Sequence, residues 1–180
     1  RLLDGNFGFP EKRDAAAALA AYTKAAELGN PVAMVAVGSR LLNGGDKLRN
    51  ETRGREWLDK AIAKENADAY LALGDFEEVV KKDDKAALSQ YRKGAEAGPA
   101  ACMLKLASFL NDGRGDQEKN PEEALAWFRK AGQAGNPLGH VQAAAMLLQG
   151  EGLQIVEGYT HLVAAGESGL ADIQNEIGLL

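Results

Sequence analysis

Histidine and cysteine are scarce in this chain of 180 residues, which contains two histidines and one cysteine. A single cysteine cannot form a disulfide within the chain, so the fold is not held by internal disulfides. The histidines and the cysteine show no metal-ligand spacing, and no serine, histidine and acid form a recognisable catalytic motif. Cys102 occupies a column of small residues, which predicts a buried, unreactive thiol, and His161 is interpreted as structural. The sequence predicts no catalytic centre, metal or cofactor.

Basic residues are also fewer than acidic ones, 21 against 26. The net charge is −5, and residues 131–180 contain no lysine or arginine against five acidic residues. A phosphate-binding surface needs the opposite balance, so the composition argues against nucleic acid as the main partner. The acidic end is interpreted as a solvated face, with a docking site for a basic partner as the alternative. No run of the sequence approaches the roughly 20 apolar residues that a membrane span needs.

The chain repeats itself at a period of a few tens of residues. Five matching segments begin at residues 21, 57, 90, 127 and 161, which are 36, 33, 37 and 34 residues apart, and a second column of small residues keeps the same intervals. This period is typical of stacked helix pairs. Each repeat is therefore predicted to contain helix A, around the small-residue column, and helix B, around the matching segments. The segments are AYTKAAELG, WLDKAIAKE, QYRKGAEAG, WFRKAGQAG and HLVAAGESG, and the small residues are Gly38, Gly74, Ala107, Ala144 and Gly178.

Glycine, asparagine and proline mark where helices end and begin. Gly29-Asn30-Pro31 and Gly135-Asn136-Pro137 each predict a left-handed glycine, an Asn N-cap and a proline at the first helical position. Asn120-Pro121 predicts the start of a B helix in the same way. The glycine-rich loop between helices A and B is missing from the third repeat, which accounts for its shorter period. The predicted caps of the other B helices are Asp14, Thr52 and Asp83 or Asp84.

This pattern resembles the Sel1-like repeat, a branch of the tetratricopeptide helical repeats, over essentially the whole chain. The resemblance rests on A helices that end in Leu-Leu-x-Gly and on B helices that end in Trp/Tyr-x-Lys-Ala-Ala-Glu-x-Gly. It implies an all-α, right-handed superhelical solenoid of antiparallel helix pairs, with about five repeats truncated at both ends. We expect one array over residues 1–180, with repeat boundaries near 29/30, 65/66, 98/99, 135/136 and 169/170, as a slice of a longer protein. The exit motif occurs as Leu41-Leu42-Asn43-Gly44, Leu2-Leu3-Asp4-Gly5 and Leu147-Leu148-Gln149-Gly150.

The resemblance also implies a class of function. Members of this family mostly act as scaffolds or adaptors, so we expect a non-enzymatic protein-interaction scaffold from a bacterium, in the assembly of an envelope, secretion or polymer-export complex. The alternative is a regulatory module that binds a signalling protein or an enzyme and inhibits or activates it. Either function needs a protein partner and no cofactor. The family's habits favour a periplasmic or extracellular location and leave the cytoplasm open.

Candidate binding residues follow from the family's geometry, in which the A helices usually line the concave surface. An aromatic or arginine anchor in such a groove concentrates binding energy. Arg40 shares a column with Phe76, Phe109 and Met146, which indicates a partly open position, although packing between repeats is the stronger interpretation of the three apolar residues. The candidates are Arg40, Ser39, Asp75, Phe76, Lys105, Ser108, Phe109, Gln142 and Met146.

Two short motifs have competing explanations. Arg114-Gly115-Asp116 matches the integrin-recognition tripeptide, but its glycine is already required by the loop between helices A and B. Asn50-Glu51-Thr52 is a glycosylation sequon, and Thr52 is also a predicted helix cap. We interpret both motifs as parts of the repeat architecture.

Overall fold

The computed structural model describes residues 15–44, 49–149 and 153–167. These residues contain nine α-helices and no strand, which confirms the all-α class. The helices are α1 (Ala15–Glu27), α2 (Pro31–Asn43), α3 (Glu51–Ile62), α4 (Asp68–Asp75), α5 (Asp84–Ala97), α6 (Ala100–Asp112), α7 (Pro121–Gln133), α8 (Pro137–Leu147) and α9 (Leu153–Glu167). The even-numbered helices are the A helices of the repeats, and the odd-numbered helices are the B helices.

Helix α2 begins where the local sequence predicts. The side chain of Asn30 accepts a hydrogen bond from the amide of Ala33 at 3.0 Å, and Pro31 is the first residue of the helix. Gly29 has a φ of +93°, the left-handed conformation that glycine adopts without strain. The Gly135-Asn136-Pro137 segment repeats this arrangement at the start of α8. Both predicted junctions are therefore confirmed.

The cap of α3 differs from the prediction. Asn50, with an extended backbone, accepts a hydrogen bond from the Arg53 amide at 3.0 Å, whereas Thr52 lies inside the helix. The prediction for Thr52 was wrong because the helix already begins at Glu51 with Asn50 as its cap, which places Thr52 in the first helical turn. Of the two candidates for α5, Asp83 is the cap and accepts from Ala86 at 2.9 Å. Asp14 lies outside the described residues.

The third repeat has no loop between its two helices. Helix α4 continues directly into a π-helical turn, Phe76–Lys81, which we call the π turn. Lys82 then adopts a left-handed conformation with φ of +59°, and Asp83 caps the next helix. A π-helical turn and one left-handed residue thus replace the glycine-rich loop of the other repeats. This explains in structural terms why the third repeat is short.

The first compact unit, which ends at Lys64, packs α2 against both α1 and α3. Gly38 of α2 faces Leu58 of α3, and Gly54 of α3 faces Leu42 of α2, so these two helices run antiparallel. A Cβ atom on Gly38 would lie 2.6 Å from Cγ of Leu58, closer than real atoms approach. The small residue is therefore required for close contact between the two helices of the repeat, as its column predicted.

In the second unit, helices α4 to α9 pack on one another in chain order. Gly74 of α4 faces Tyr91 of α5 and Gly94 of α5 faces Tyr70 of α4, which makes this pair antiparallel as well. Helix α6 also contacts both α4 and α8, so three A helices lie side by side. The predicted helix pair is confirmed within each unit. The single superhelical array over residues 1–180 stays a prediction.

The two tryptophans occupy equivalent places in the two units. Trp57 in α3 and Trp127 in α7 are both half-buried. The ammonium of Lys60 lies 4.4 Å from the ring centroid of Trp57, and that of Lys130 lies 4.0 Å from the ring of Trp127. A cation over an indole face is favourable. Each ring is therefore covered on one face by a lysine of its own helix.

Candidate functional site

An open groove of about 490 Å³ lies along α4, α6 and α8 of the second unit. We call it the A-helix groove. Positions three or four residues apart on a helix share one face, and Ala101, Leu104, Lys105 and Ser108 follow this spacing along α6. The lining residues are Leu71, Asp75, Ala101, Leu104, Lys105, Ser108, Phe128, Asn136, Leu138 and Gln142.

The apolar part of the groove includes one leucine from each of the helices α4, α6 and α8. Leu71 of α4 and Leu104 of α6 are half-buried, and both pack against the hydrophobic core of the unit. Leu138 of α8 is 51% exposed. Three leucines presented side by side in a concave surface resemble a binding site more than scattered surface residues do.

The polar part of the groove is centred on Lys105. Its ammonium lies 3.3 Å from Oδ1 of Asp75 and 2.9 Å from Oε2 of Glu78. Burial disfavours the charged form, but the hydrogen bond to Glu78 and the charge of Asp75 outweigh this and raise the pKa of Lys105. Lys105 is therefore a fixed positive charge held between two carboxylates.

Four of the predicted binding residues meet in this groove: Asp75, Lys105, Ser108 and Gln142 all line it. Ser39 and Arg40 lie on α2 in the first unit and do not line it. Ser39 is half-buried and Arg40 is exposed. Contact of these residues with a partner stays a prediction.

The three apolar candidates are packing residues. Phe76 is 0% exposed and Phe109 is 1% exposed, so neither ring is available to a partner in this structure. Met146 is half-buried against the core of the second unit. Packing between helices, the stronger interpretation of these residues, therefore holds for Phe76 and Phe109, whereas contact of the half-buried Met146 with a partner stays a prediction. The groove side of α6 is presented instead by Leu104, Lys105 and Ser108, which the sequence named only in part.

A charged cluster connects the third and fourth repeats beside the groove. Arg114, in the loop after α6, donates hydrogen bonds to Asp84 at 2.9 and 2.7 Å and to Glu78 at 2.8 Å. Its guanidinium also lies 4.0 Å from the ring centroid of Phe109. The arginine of the Arg-Gly-Asp tripeptide is thus held by the fold, which supports the interpretation of this motif as part of the repeat.

Glu78 is the centre of this cluster. Its carboxylate accepts hydrogen bonds from Lys105 at 2.9 Å and from Arg114 at 2.8 Å, and it lies 2.7 Å from the hydroxyl of Tyr91. Burial alone raises the pKa of Glu78, but the hydrogen bonds from Lys105, Tyr91 and Arg114 outweigh it and lower the pKa to about 2. The sequence did not predict this cluster, because its members are up to 36 residues apart and meet only through the packing of two repeats.

The two histidines also meet, which the sequence did not predict. Nδ1 of His140 on α8 lies 3.0 Å from Nδ1 of His161 on α9.

Cys102 is fully buried against Gly94, and burial together with the charges of Asp68 and Asp75 raises the pKa of its thiol to about 12, as expected of an unreactive cysteine. In the described part of the chain, no group of three His, Cys, Asp or Glu side chains is placed to hold a metal ion. None of the described helices is both long enough and apolar enough to cross a bilayer.

Comparison with known proteins identifies the family to which this chain is similar. The sequence profile of the Sel1 repeat matches residues 2–30, 31–66, 67–99 and 100–136. A search of curated proteins found no significant match. Among solved structures, the fold is similar to a Sel1 repeat protein from Oxalobacter formigenes, with a TM-score of 0.70 and 24% identity over 90% of this chain and 68% of that one. It is also similar to c5321, a protective antigen of uropathogenic Escherichia coli strains with an SLR fold, with a TM-score of 0.68 and 24% identity over 89% of this chain and 35% of that one.

Proposed function

Because the chain belongs to the Sel1 repeat family, we propose that it is a protein-interaction scaffold whose A-helix groove binds a segment of a partner protein. Sel1 repeat proteins generally act as scaffolds for protein–protein interactions and are generally non-catalytic. A likeness of fold does not identify the partner, so the proposal rests on the groove itself.

The observation that carries the proposal is the line of three leucines in one open groove. Leu71, Leu104 and Leu138 come from three successive A helices, and Leu138 remains 51% exposed. Burying apolar area contributes about 25 cal/mol for each Å² removed from water. A partner side chain placed among these leucines would therefore gain binding energy that the free protein leaves unused.

The charges around the groove favour a basic segment. Asp68, Leu71 and Asp75 are three and four residues apart, so the two acids flank the leucine on one face of α4. Among the described residues that line the groove, Lys105 is the only cation, and it is already paired with Asp75 and Glu78. A partner that places a lysine or arginine beside an apolar anchor complements this surface, and such complementarity improves both association rate and specificity.

We place this scaffold in the bacterial cell envelope, where it would help to assemble a secretion or polymer-export complex in the periplasm or outside the cell. The support for this part is the habit of Sel1-like repeat proteins. The groove itself fits a partner in any compartment.

A matched pair of variants tests the groove. Leu138 and Val156 are both exposed apolar residues near the start of a helix, on α8 and α9 respectively. Aspartate is tolerated near a helix N-terminus, so Leu138→Asp and Val156→Asp should both fold, as circular dichroism can verify. The immobilised chain is incubated with cell extract, and the retained proteins are quantified by mass spectrometry. We expect Leu138→Asp to lose the stoichiometric partner and Val156→Asp to keep it.

Equal retention by the two variants would show that the groove is not the binding site.

The preference for a basic partner is tested by Asp68→Lys, with the exposed Asp59→Lys of α3 as control. Loss of one exposed charge contact weakens binding by up to about fivefold. If Asp68→Lys binds the partner as tightly as Asp59→Lys does, the partner does not use a basic residue there.

A further inference from the structure

The contact between His140 and His161 joins three helices of the second unit. His140 belongs to α8 and packs against the backbone of α7 at Gly132, where a Cβ atom would lie 2.7 Å from its Nδ1. The same Nδ1 lies 3.0 Å from Nδ1 of His161 on α9. Only 15% of the His161 side chain is exposed. The pair is therefore enclosed at a helix junction.

Two imidazole nitrogens at this distance need one proton between them, since two lone pairs or two N–H groups would repel. The other nitrogen of His161, Nε2, lies 3.8 Å from Oε1 of Glu157. A proton on Nε2 is favoured by that carboxylate, which leaves Nδ1 of His161 as the acceptor. Nδ1–H of His140 is then the donor, and its own Nε2 carries no proton.

This assignment limits how many further protons the pair can take up. A first extra proton can bind Nε2 of His140 and leave the contact intact. A second must bind Nδ1 of His161, where it meets the N–H of His140 directly. The pair can therefore become fully charged only if the rings move apart.

Charged side chains of α7 and α9 lie near His161. Arg129 of α7 and Glu157 of α9 form an ion pair with each other and both act on His161. Helix α8 carries no ionisable side chain besides His140. Apart from His140, one cation and one anion thus face His161, and they largely compensate each other.

From this geometry we propose that His140 and His161 form a proton-controlled latch between α8 and α9. The latch holds the two helices together at neutral pH and loosens α9 when the surroundings become acidic. It goes beyond the scaffold function, since it needs no partner.

The direction of the pKa shift of His161 agrees with a contact that is lost on protonation. Burial, the charge of His140 and that of Arg129 lower the pKa of His161, and Glu157 only partly opposes them. A histidine whose pKa is lower in the folded state binds protons preferentially when the structure opens. Its contribution to stability is complete above the unfolded pKa of about 6.5 and is lost as the pH falls through the folded pKa.

The direct test is a titration of the full chain, labelled with ¹⁵N, by histidine NMR between pH 8 and pH 4.5. We expect His161 to carry its proton on Nε2 at neutral pH and to take up its second proton only below its ordinary pKa of 6.5. Two independent titrations near 6.5 would overturn the proposal. Tight binding of Zn²⁺ that abolishes both titrations would overturn it in favour of a metal site.

Hydrogen exchange measures the release of α9. After correction for the intrinsic pH dependence of exchange, the opening equilibrium of α9 should increase about five- to tenfold from pH 7.5 to 5.5, while that of α6 stays constant. His161→Gln should remove this pH response, and Thr160→Ala, an exposed substitution one residue away, should retain it. A response in His161→Gln equal to that of the unmodified chain would overturn the latch. Should that variant fail to fold, His140→Gln and the titration decide the question.

Discussion

Gly74 lies directly against the ring of Tyr91, and the contact leaves no space for a side chain between α4 and α5. A Cβ atom on Gly74 would lie 2.6 Å from Cδ1 of the tyrosine and 2.9 Å from Cζ. The ring itself is fully buried and meets Phe109 edge-on at a centroid distance of 5.2 Å. The ring is therefore packed between Gly74 and Phe109, with no room to move away from an added side chain.

We therefore expect Gly74→Ala to lower the free energy of unfolding by about 1–3 kcal/mol through overpacking. This loss should exceed the gain of up to about 1 kcal/mol that alanine brings to a helix interior. Urea unfolding followed by circular dichroism measures the change. In the Tyr91→Leu background the cost of Gly74→Ala should be smaller, because the shorter side chain leaves room. A cost that is the same in both backgrounds would contradict the contact.

Arg114→Lys should destabilise the second unit although it keeps the charge. Lysine cannot reproduce the paired hydrogen bonds to Asp84 or the flat contact with Phe109. We expect a loss of about 1–2 kcal/mol in the free energy of unfolding. Lys85→Ala is the control, since its 3.6 Å pair with Asp116 is mostly exposed and contributes little. Similar losses in the two variants would mean that Arg114 is an ordinary surface residue.

Glu78 should make stability depend on acidity. The pKa of Glu78 is lowered to about 2 in the folded protein from the ordinary value of 4.5, so the unfolded chain binds the proton more readily. The stabilisation is complete above about 4.5 and is lost as the pH falls toward 2. We expect the melting temperature of Glu78→Gln to decline less steeply over that range than the melting temperature of the unmodified chain. Asp116→Asn, on the exposed pair, should leave the slope unchanged, and an unchanged slope in Glu78→Gln would refute the assignment.

Cys102 should be almost inert toward thiol reagents in the folded protein. Burial raises the pKa of its thiol from the ordinary value of 9.0 to about 12, which leaves roughly a thousandfold less thiolate at pH 8, and its side chain is fully buried. Reaction with a chromogenic disulfide, followed by absorbance, should be slow in buffer and fast in guanidinium chloride. Rapid labelling without denaturant would show that the contact with Gly94 opens readily.

The helices were predictable because the signals that end and begin them are local. Asn30, Pro31 and Gly29 act on amides within a few residues, and the small residue at position 38 fixes which face approaches the next helix. The cap at Asn50 was missed because Thr52, two positions later, is also a favoured capping residue. Choosing between them requires the backbone conformation, which the sequence does not contain.

The groove was only partly predictable for a different reason. The repeat register assigned Asp75, Lys105, Ser108 and Gln142 to the A helices, and they do line one surface. The same register could not distinguish a residue that points into the groove from one that points between helices, so it included Phe76 and Phe109. The histidine pair depends on how α8 packs against α9 within one repeat, and the contacts of Glu78 with Lys105 and Arg114 depend on how two repeats pack together. Glu78 itself lies in the π turn, which the sequence did not predict.

The placement of one tryptophan in each unit gives the protein a pair of built-in fluorescent reporters. Trp57→Phe leaves an emission signal that comes from the second unit alone, and Trp127→Phe leaves one that comes from the first. If the two single-tryptophan chains melt along the same curve, the units unfold cooperatively as one thermodynamic body. If the curves separate, the chain is a sequence of independently melting segments, and one part can be lost while the other remains folded.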